Sequence, residues 1–249
     1  MVKNAWNFIA PAWIAALACV IELCRGHLWL GPVAGVALLF SAFCAWFFRS
    51  PQRAIPADPD VLVSPADGKV IAIEPLDDAW LGKGVEIRIF LNVFNVHVQR
   101  SPFTTASLVE GTRYFAGKFL AASVPKASLE NEQHWFRLSS GARKVVVKQI
   151  AGLIARRIIP WARPGDTLKG GQLIGLIQFG SQVDLGLSGA EVLVKVGDVL
   201  VGGETLLARY PAAKSKAKAA AKAGGQPKAK AKSKSKSKSR PPKPRFGGR

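Results

Sequence analysis

The sequence predicts a mainly β fold, a sandwich or barrel-like hybrid with minor helix, behind an N-terminal α-helical membrane hairpin. Three observations carry that expectation. Short runs rich in β-branched residues alternate with turn residues between Val61 and Tyr210. Two apolar runs open the chain, and the second, Leu28 to Phe48, is 21 residues without a charge. After Pro211 the composition collapses to Lys, Ala, Ser and Pro, which cannot build a packed core. The expected organisation is a hydrophobic hairpin over residues 1–50, a folded domain over 51–211 and a disordered basic tail over 212–249.

At roughly 1.5 Å per residue, the run from Leu28 to Phe48 is long enough to cross a bilayer core. The first run, Trp6 to Ile21, is shorter, contains Pro11 and stops at Glu22. Only the segment from Glu22 to His27 separates the two, so together they read as a hairpin that either crosses twice or dips in from one side. Lys3 precedes it, and Arg49 and Arg53 follow. That bias puts both ends in the cytoplasm and the folded domain on the cytoplasmic side of the cell's inner membrane. The competing reading of the first run is a cleaved signal peptide, against which the stronger second run directly behind it argues. Trp6, Trp13, Trp29 and Trp46 suit the membrane interfaces.

Within the domain the strand-like runs are Val61–Val63, Lys69–Ile73, Val85–Phe90, Val96–Gln99, Lys144–Lys148 and Glu191–Lys195. At most one or two short helices are expected, with Ile150 to Ile159 the first candidate. Val194 to Leu207 resembles half of a lipoyl- or biotinyl-type domain, but no carrier hairpin follows it. It therefore speaks for a barrel-like β fold, not for a carrier.

The net charge of +19 divides unevenly. The tail holds eleven Lys and three Arg and no acid, leaving +5 to the rest of the chain. Such a tail can meet anionic headgroups, or be a solvated extension. Cys19, Cys24 and Cys44 all lie in or beside the apolar region. They form neither a disulfide framework nor a zinc spacing, so thiol and metal chemistry are not expected.

Three separated segments carry chemistry. Ser64 to Lys69 (S-P-A-D-G-K) is by itself an ordinary turn. Phe90 to Pro102 places His97 in a β-patterned run ahead of a Pro-containing turn, and a lone His there is more often structural. Ile177 to Asp184 holds Gly180-Ser181 between apolar runs, where Gly-Ser usually marks a turn or bulge. Together, and with Gln149 to Ile158 (Q-I-A-G-L-I-A-R-R-I) between the last two, they say more. The order S-P-A-D-G, N-V-F-N-V-H-V-Q-R-S-P, Q-I-A-G-x-x-A-R-R-I and F-G-S-x-V-D resembles the short, archaeal-type phosphatidylserine decarboxylases over roughly Ile55 to Tyr210.

The resemblance implies a proenzyme that cuts itself between Gly180 and Ser181. The Ser181 hydroxyl would attack the Gly180 carbonyl, and Gly there removes bulk from the strained backbone. His97 would be the base that takes the hydroxyl proton. Asp67 would orient His97 and stabilise its cation, as the carboxylate of a Ser-His-Asp triad does. Elimination would leave dehydroalanine and then a pyruvoyl group on the fragment 181–249, so the cofactor is made from the chain, with no metal and no pyridoxal phosphate. That group would form a Schiff base with phosphatidylserine, release carbon dioxide and, after reprotonation, yield phosphatidylethanolamine. His97 is also a candidate proton donor in turnover. The partners implied are phosphatidylserine, the membrane, and the chain's own two fragments held together; nucleic acid is not expected.

Two departures matter. Longer bacterial forms carry an additional His where this chain has Phe94, so the donor and positioning roles of that His do not transfer. Phe94 is expected to pack against lipid or substrate. Gln182 stands where short forms often have Arg. Arg156 and Arg157 are candidate phosphate or membrane contacts, since Arg binds phosphate through paired donors; adjacent residues on a strand face opposite ways, so one of them would face the site. His27 and His134 are expected at the surface. Competing functions are a pyruvoyl decarboxylase of a soluble amino acid, which would need no anchor, and a membrane-tethered binding module without catalysis. The latter leaves the joint presence of Asp67, His97 and Gly180-Ser181 unexplained.

Overall fold

The computed structural model describes residues 2, 5–120, 127–153, 157–178 and 181–211, with Ala127 and Ser181 described by backbone alone. The tail expected to be disordered lies outside the described residues.

Two helices open the chain, α1 (Trp6–Cys24) and α2 (Gly31–Phe47), joined through a single 3₁₀ turn at Leu28–Leu30. Pro32 falls in the first turn of α2, where its missing N–H costs nothing. Glu22 ties the connection together by pairing with Arg25 and His27. The helices pack on each other, yet only 11% of the apolar window of the first and 17% of that of the second is buried. A soluble core helix would be mostly buried; these two are long and apolar enough to cross a membrane and leave most of their apolar surface exposed.

The rest is mainly β, as expected. In chain order the strands are β1 (Val61–Val63), β2 (Gly68–Asp78), β3 (Gly82–Leu91), β4 (Val98–Arg100), β5 (Ser107–Phe115), β6 (Gln133–Ser140) and β7 (Arg143–Ile150). After these come β8 (Arg157–Pro160), β9 (Thr167–Leu168), β10 (Leu173–Gln178), β11 (Ser181–Leu187), β12 (Glu191–Val192), β13 (Val199–Leu200) and β14 (Leu206–Arg209). A short helix, α3 (Ala127–Glu130), precedes β6. Eight strands form one sheet in the order β13-β2-β3-β11-β7-β6-β5-β9, and two three-stranded sheets have the orders β1-β14-β12 and β4-β10-β8. The lipoyl-like segment turns a corner between sheets, since β13 and β14 belong to different ones.

Alternation in the sequence explains the layers. On β3 and β11 the residues Ile87, Ile89, Leu91, Val183, Leu185 and Leu187 enter the main core, where they meet Leu62, Leu207 and Ala208 of the β1-β14-β12 sheet. The opposite face of the large sheet carries Glu86, Arg88, Lys148 and Asp184, joined in ion pairs. Strand β10 has a foot in each of two cores. Ile174 and Ile177 join the main one, while Leu173 and Leu176 join a second cluster with Val98, Cys44, Phe47, Phe48 and Ile9. The hairpin therefore docks on the β4-β10-β8 sheet.

One expected element is absent. The helix predicted over Ile150 to Ile159 is replaced by the end of β7 and by β8, with Ala151 to Leu153 irregular and residues 154–156 outside the described set. Ile158 and Ile159 pair with Ile177 and Leu176, and that pairing exploits the β-branched side chains that disfavour a helix. His134, expected at the surface, is 8% exposed. It lies on β6 level with Gln149 of β7 and touches the Phe136 ring, centroids 4.6 Å apart; burial lowers its pKa. His27 does lie at the surface, as expected.

Candidate active site

The segments that carry chemistry meet at the end of β3. Beyond Leu91 the chain turns through Asn92 to Asn95, closed by Asn95 N–H donating to Asn92 O at 3.1 Å and by Asn92 N–H donating to Asn95 Oδ1 at 2.8 Å. The same Asn92 carbonyl lies 3.0 Å from His97 Nε2. A carbonyl only accepts, so Nε2 carries the proton, and in the neutral ring Nδ1 keeps a bare lone pair. That Nδ1 is buried and has no hydrogen-bond partner among the described residues.

His97 is completely buried. Its ring stacks on Phe47, the last residue of α2, with centroids 4.4 Å apart and planes 21° from parallel. Burial drives its pKa down to about 4; the Asn92 carbonyl opposes this and the Arg49 charge adds to it. The His97 carbonyl accepts from Ile177 N–H at 3.2 Å and from Gln99 Nε2 at 2.8 Å. Gln149 Nε2 in turn donates to Gln99 Oε1 at 2.7 Å. Gln149 and Gln99, both fully buried, thus run a polar chain from the Q-I-A-G segment to the backbone of His97.

Both flanks of the Gly180–Ser181 bond reach the same place. On the upstream side, β10 ends at Gln178, one residue after the Ile177 amide that bonds to His97. On the downstream side Ser181 opens β11 and pairs with Leu91, the residue before Asn92. Phe179 and Gly180 lie outside the described residues. Arg157 opens β8 exposed and pairs with Gln178, which places its backbone near the junction; Arg156 lies outside the described residues.

Asp67 is not joined to His97. Its carboxylate takes both oxygens to Arg53, at 2.9 Å each, and accepts Gly202 N–H at 2.7 Å. With those acceptor sites filled and His97 Nε2 committed to Asn92, the expected carboxylate–imidazole hydrogen bond is not formed. The tautomer that Asp67 was expected to fix is fixed by a backbone carbonyl. The turn that holds Asp67 does reach the strand that follows His97, through the Pro65 carbonyl, which accepts Arg100 N–H of β4 at 2.8 Å.

Phe94 tips the Asn92–Asn95 turn and is 73% exposed. Its ring meets Trp46 at 6.0 Å. Gln182 faces away from the main core and donates to Asp184 Oδ1 and to Ser128 Oγ, both at 2.6 Å. Asp184 is buried, and burial, then the nearby Glu86 charge, push its carboxyl up to about 7.

Sequence reasoning missed Phe47, Gln99 and Asp184. Gln149 was inside a quoted motif, and its signal was a polar Gln beside the Val and Ile residues of its strand. Phe47 gave no signal, because every residue around it is apolar.

The arrangement offers a neutral imidazole with an unprotonated, buried nitrogen, on a residue whose carbonyl bonds to Ile177 near the end of β10, while Ser181 opens β11 opposite Leu91. Comparison with known proteins agrees with the motifs. The family model described as phosphatidylserine decarboxylase matches residues 40–208. The phosphatidylserine decarboxylase proenzyme of Nitrosomonas eutropha is 42% identical over 212 residues, covering 84% of this chain and 94% of the relative. That of Nitrosomonas europaea is 41% identical over the same length with the same coverage. That of Desulfotalea psychrophila is 46% identical over 178 residues, covering 70% of this chain and 82% of the relative. The chain belongs to the phosphatidylserine decarboxylase family.

Proposed function

We propose that the chain is a self-processing decarboxylase that turns phosphatidylserine into phosphatidylethanolamine and carbon dioxide at the cytoplasmic face of the cell membrane, using a pyruvoyl group made from Ser181. The observation that carries the reading is that His97 bonds through its carbonyl to Ile177, upstream of the Gly180–Ser181 bond, and through its ring to Asn92, next to the Leu91 that pairs with Ser181 downstream of it. His97 Nδ1 takes the Ser181 hydroxyl proton as Oγ attacks the Gly180 carbonyl carbon. The peptide C–N bond breaks, the nitrogen of Ser181 receives the proton, and an ester links the two residues. With a pKa near 4 the imidazole is neutral at pH 7, as a base must be before it acts.

The residues present fit the group. The buried Nδ1 of His97, without a hydrogen-bond partner among the described residues, is the atom suited to handle a proton. Once formed, the pyruvoyl group supplies an electron sink to the substrate amine. His97 shields and hands over protons at Nδ1, and in turnover it is the proposed donor. Asn92 holds its tautomer. Asp67 acts as a positioning residue, pinning the turn that bonds to β4. Phe94, Arg157 and Arg156 are proposed to contact substrate or its neighbouring lipids.

The two fragments, 1–180 and 181–249, stay associated because the cut leaves every ladder intact. Strand β11 remains paired with β3 on one side and β7 on the other, and β14 remains paired with β1. The hairpin favours a lipid substrate over a soluble amino acid.

The test is intact mass and terminal sequencing of purified protein. Two species are expected, the smaller starting at residue 181 with a blocked amino terminus. Ser181→Ala and His97→Ala should each yield one uncut chain. A single full-length species in active wild-type material would exclude the pyruvoyl reading.

A further inference from the structure

Resting on that reading, we infer that Arg49 binds the phosphodiester of the lipid substrate and so holds the head group beside the cut end at residue 181. Arg49 follows α2 by two residues, at the depth where a membrane span gives way to head groups. Its guanidinium is fixed in place. One terminal nitrogen donates to Trp46 O at 3.0 Å, the other to Phe94 O at 2.8 Å, and the group lies 4.2 Å over the Trp46 ring. These bonds use two of five N–H donors and leave the rest for an incoming anion.

The charge is also unanswered. Arg53, Arg88, Arg143 and Arg209 each pair with a carboxylate, whereas among the described residues none pairs with Arg49. A rigid, stacked, un-neutralised guanidinium at head-group depth is a phosphate ligand by chemistry. Trp46 and Phe94, 40% and 73% exposed, flank it with apolar surface suited to the acyl side of the same lipid.

Geometry ties this cation to the reaction. Phe94, whose carbonyl holds Arg49, belongs to the same turn as Asn92, whose carbonyl holds His97. The Arg49 charge is felt at His97. In phosphatidylserine only a short carbon bridge separates the phosphate from the amine and carboxylate, so a phosphate seated on Arg49 presents those groups to the His97 side of the site.

The experiment compares two amphiphiles in non-ionic detergent micelles: phosphatidylserine, and O-hexadecyl-L-serine, which keeps the amine and carboxylate but has no phosphate. Arg49→Gln should still cut itself. It should lose roughly 10- to 100-fold in kcat/KM on phosphatidylserine, mainly through KM, while the ether substrate changes less than about two-fold. Arg49→Lys should fall between. Sedimentation with phosphatidylcholine vesicles should show Arg49→Gln bound like wild type. Equal losses on both substrates, no loss on either, weakened vesicle binding that accounts for the loss, or failure of self-cleavage would each overturn the assignment. Wild-type protein inert on phosphatidylserine would instead remove the reading beneath it.

Discussion

The imidazole of His97 lies on the phenyl ring of Phe47, 4.4 Å between centroids, so the last residue of the second apolar helix is also a wall of the candidate active site. An anchor joined by a flexible linker would leave the catalytic domain indifferent to it. Here Phe47 and Phe48 share one apolar cluster with Val96 and Val98, on either side of His97.

Phe47→Ala should therefore act on chemistry. Removing the ring admits water to His97 and lets its pKa climb from about 4 toward the ordinary 6.5. As neutral His97 is the proposed base, the acidic limb of the self-cleavage profile should move up in pH by the same amount. Phe47→Tyr should restore the wild-type limb. Time courses of freshly translated protein on denaturing gels, from pH 4 to 8, read this directly. A slower but unshifted profile in Phe47→Ala would show that the ring only stabilises the fold.

Two buried groups should oppose each other in the pH dependence of stability. His97 has a folded pKa of about 4, below its ordinary 6.5, so the unfolded chain takes the proton first and stability is lost as pH falls through that window. Asp184 has a folded pKa of about 7, above 3.8, so the folded chain binds the proton more tightly and stability is lost as pH rises through that window. Between pH 4 and 6.5 the two slopes offset. Asp184→Asn removes one of them, and the stability of the variant should then rise with pH by up to about 3 kcal/mol across the interval. Thermal midpoints in detergent at half-unit pH steps test this; a variant curve parallel to wild type would refute it.

The polar chain behind His97 makes Gly175 sensitive. A Cβ there would sit 2.6 Å from Gln149 Nε2, forcing the amide off Gln99. Gly175→Ala should cost about 1–3 kcal/mol as an overpacked site and slow self-cleavage, because the bond chain to the His97 backbone is broken. Gln149→Ala removes the side-chain part of the clash, leaving the Ile159 carbonyl 3.0 Å from the added Cβ, and it strips Gln99 Oε1 of its donor, at a similar cost. The double variant should thus be less destabilised than the sum of the singles. Strict additivity of thermal midpoints and cleavage rates would show that Gln149 and Gly175 act separately.

How much of this was legible in the sequence depended on the range of the interaction. The β runs, the apolar hairpin and the order of the motifs rest on local alternation and residue type, and the fold class followed from them. His97 and Ser181 could be proposed because their motifs are local. Their convergence on Leu91 and Asn92 is a matter of register, which no single segment encodes. Asp67 shows the limit: a triad needs a carboxylate, but whether that carboxylate meets His97 or Arg53 depends on where the Pro51–Arg53 segment crosses the turn. Ile150 to Ile159 failed for a similar reason, since partner strand β10 lies beyond it in the chain and decided its conformation.

Deleting residues 212–249 should separate catalysis from adhesion. The folded body closes before the tail begins, with β14 ending at Arg209 and Tyr210 N–H bonded to Asp60 O at 2.8 Å. No ladder among the described residues is lost, so the truncated chain should cut itself at the wild-type rate. The deletion nonetheless removes eleven Lys and three Arg, each worth on the order of 1 kcal/mol when it lies near an anionic bilayer. Such attraction fades within a Debye length of about 8 Å at physiological salt. Flotation with vesicles rich in anionic lipid should show the truncated protein less bound at low salt and equal to wild type at high salt, the hairpin alone holding both. Equal binding at every salt concentration would mean that the tail's charge is spent on something other than the membrane, and a loss of self-cleavage would mean that the folded body extends past Pro211.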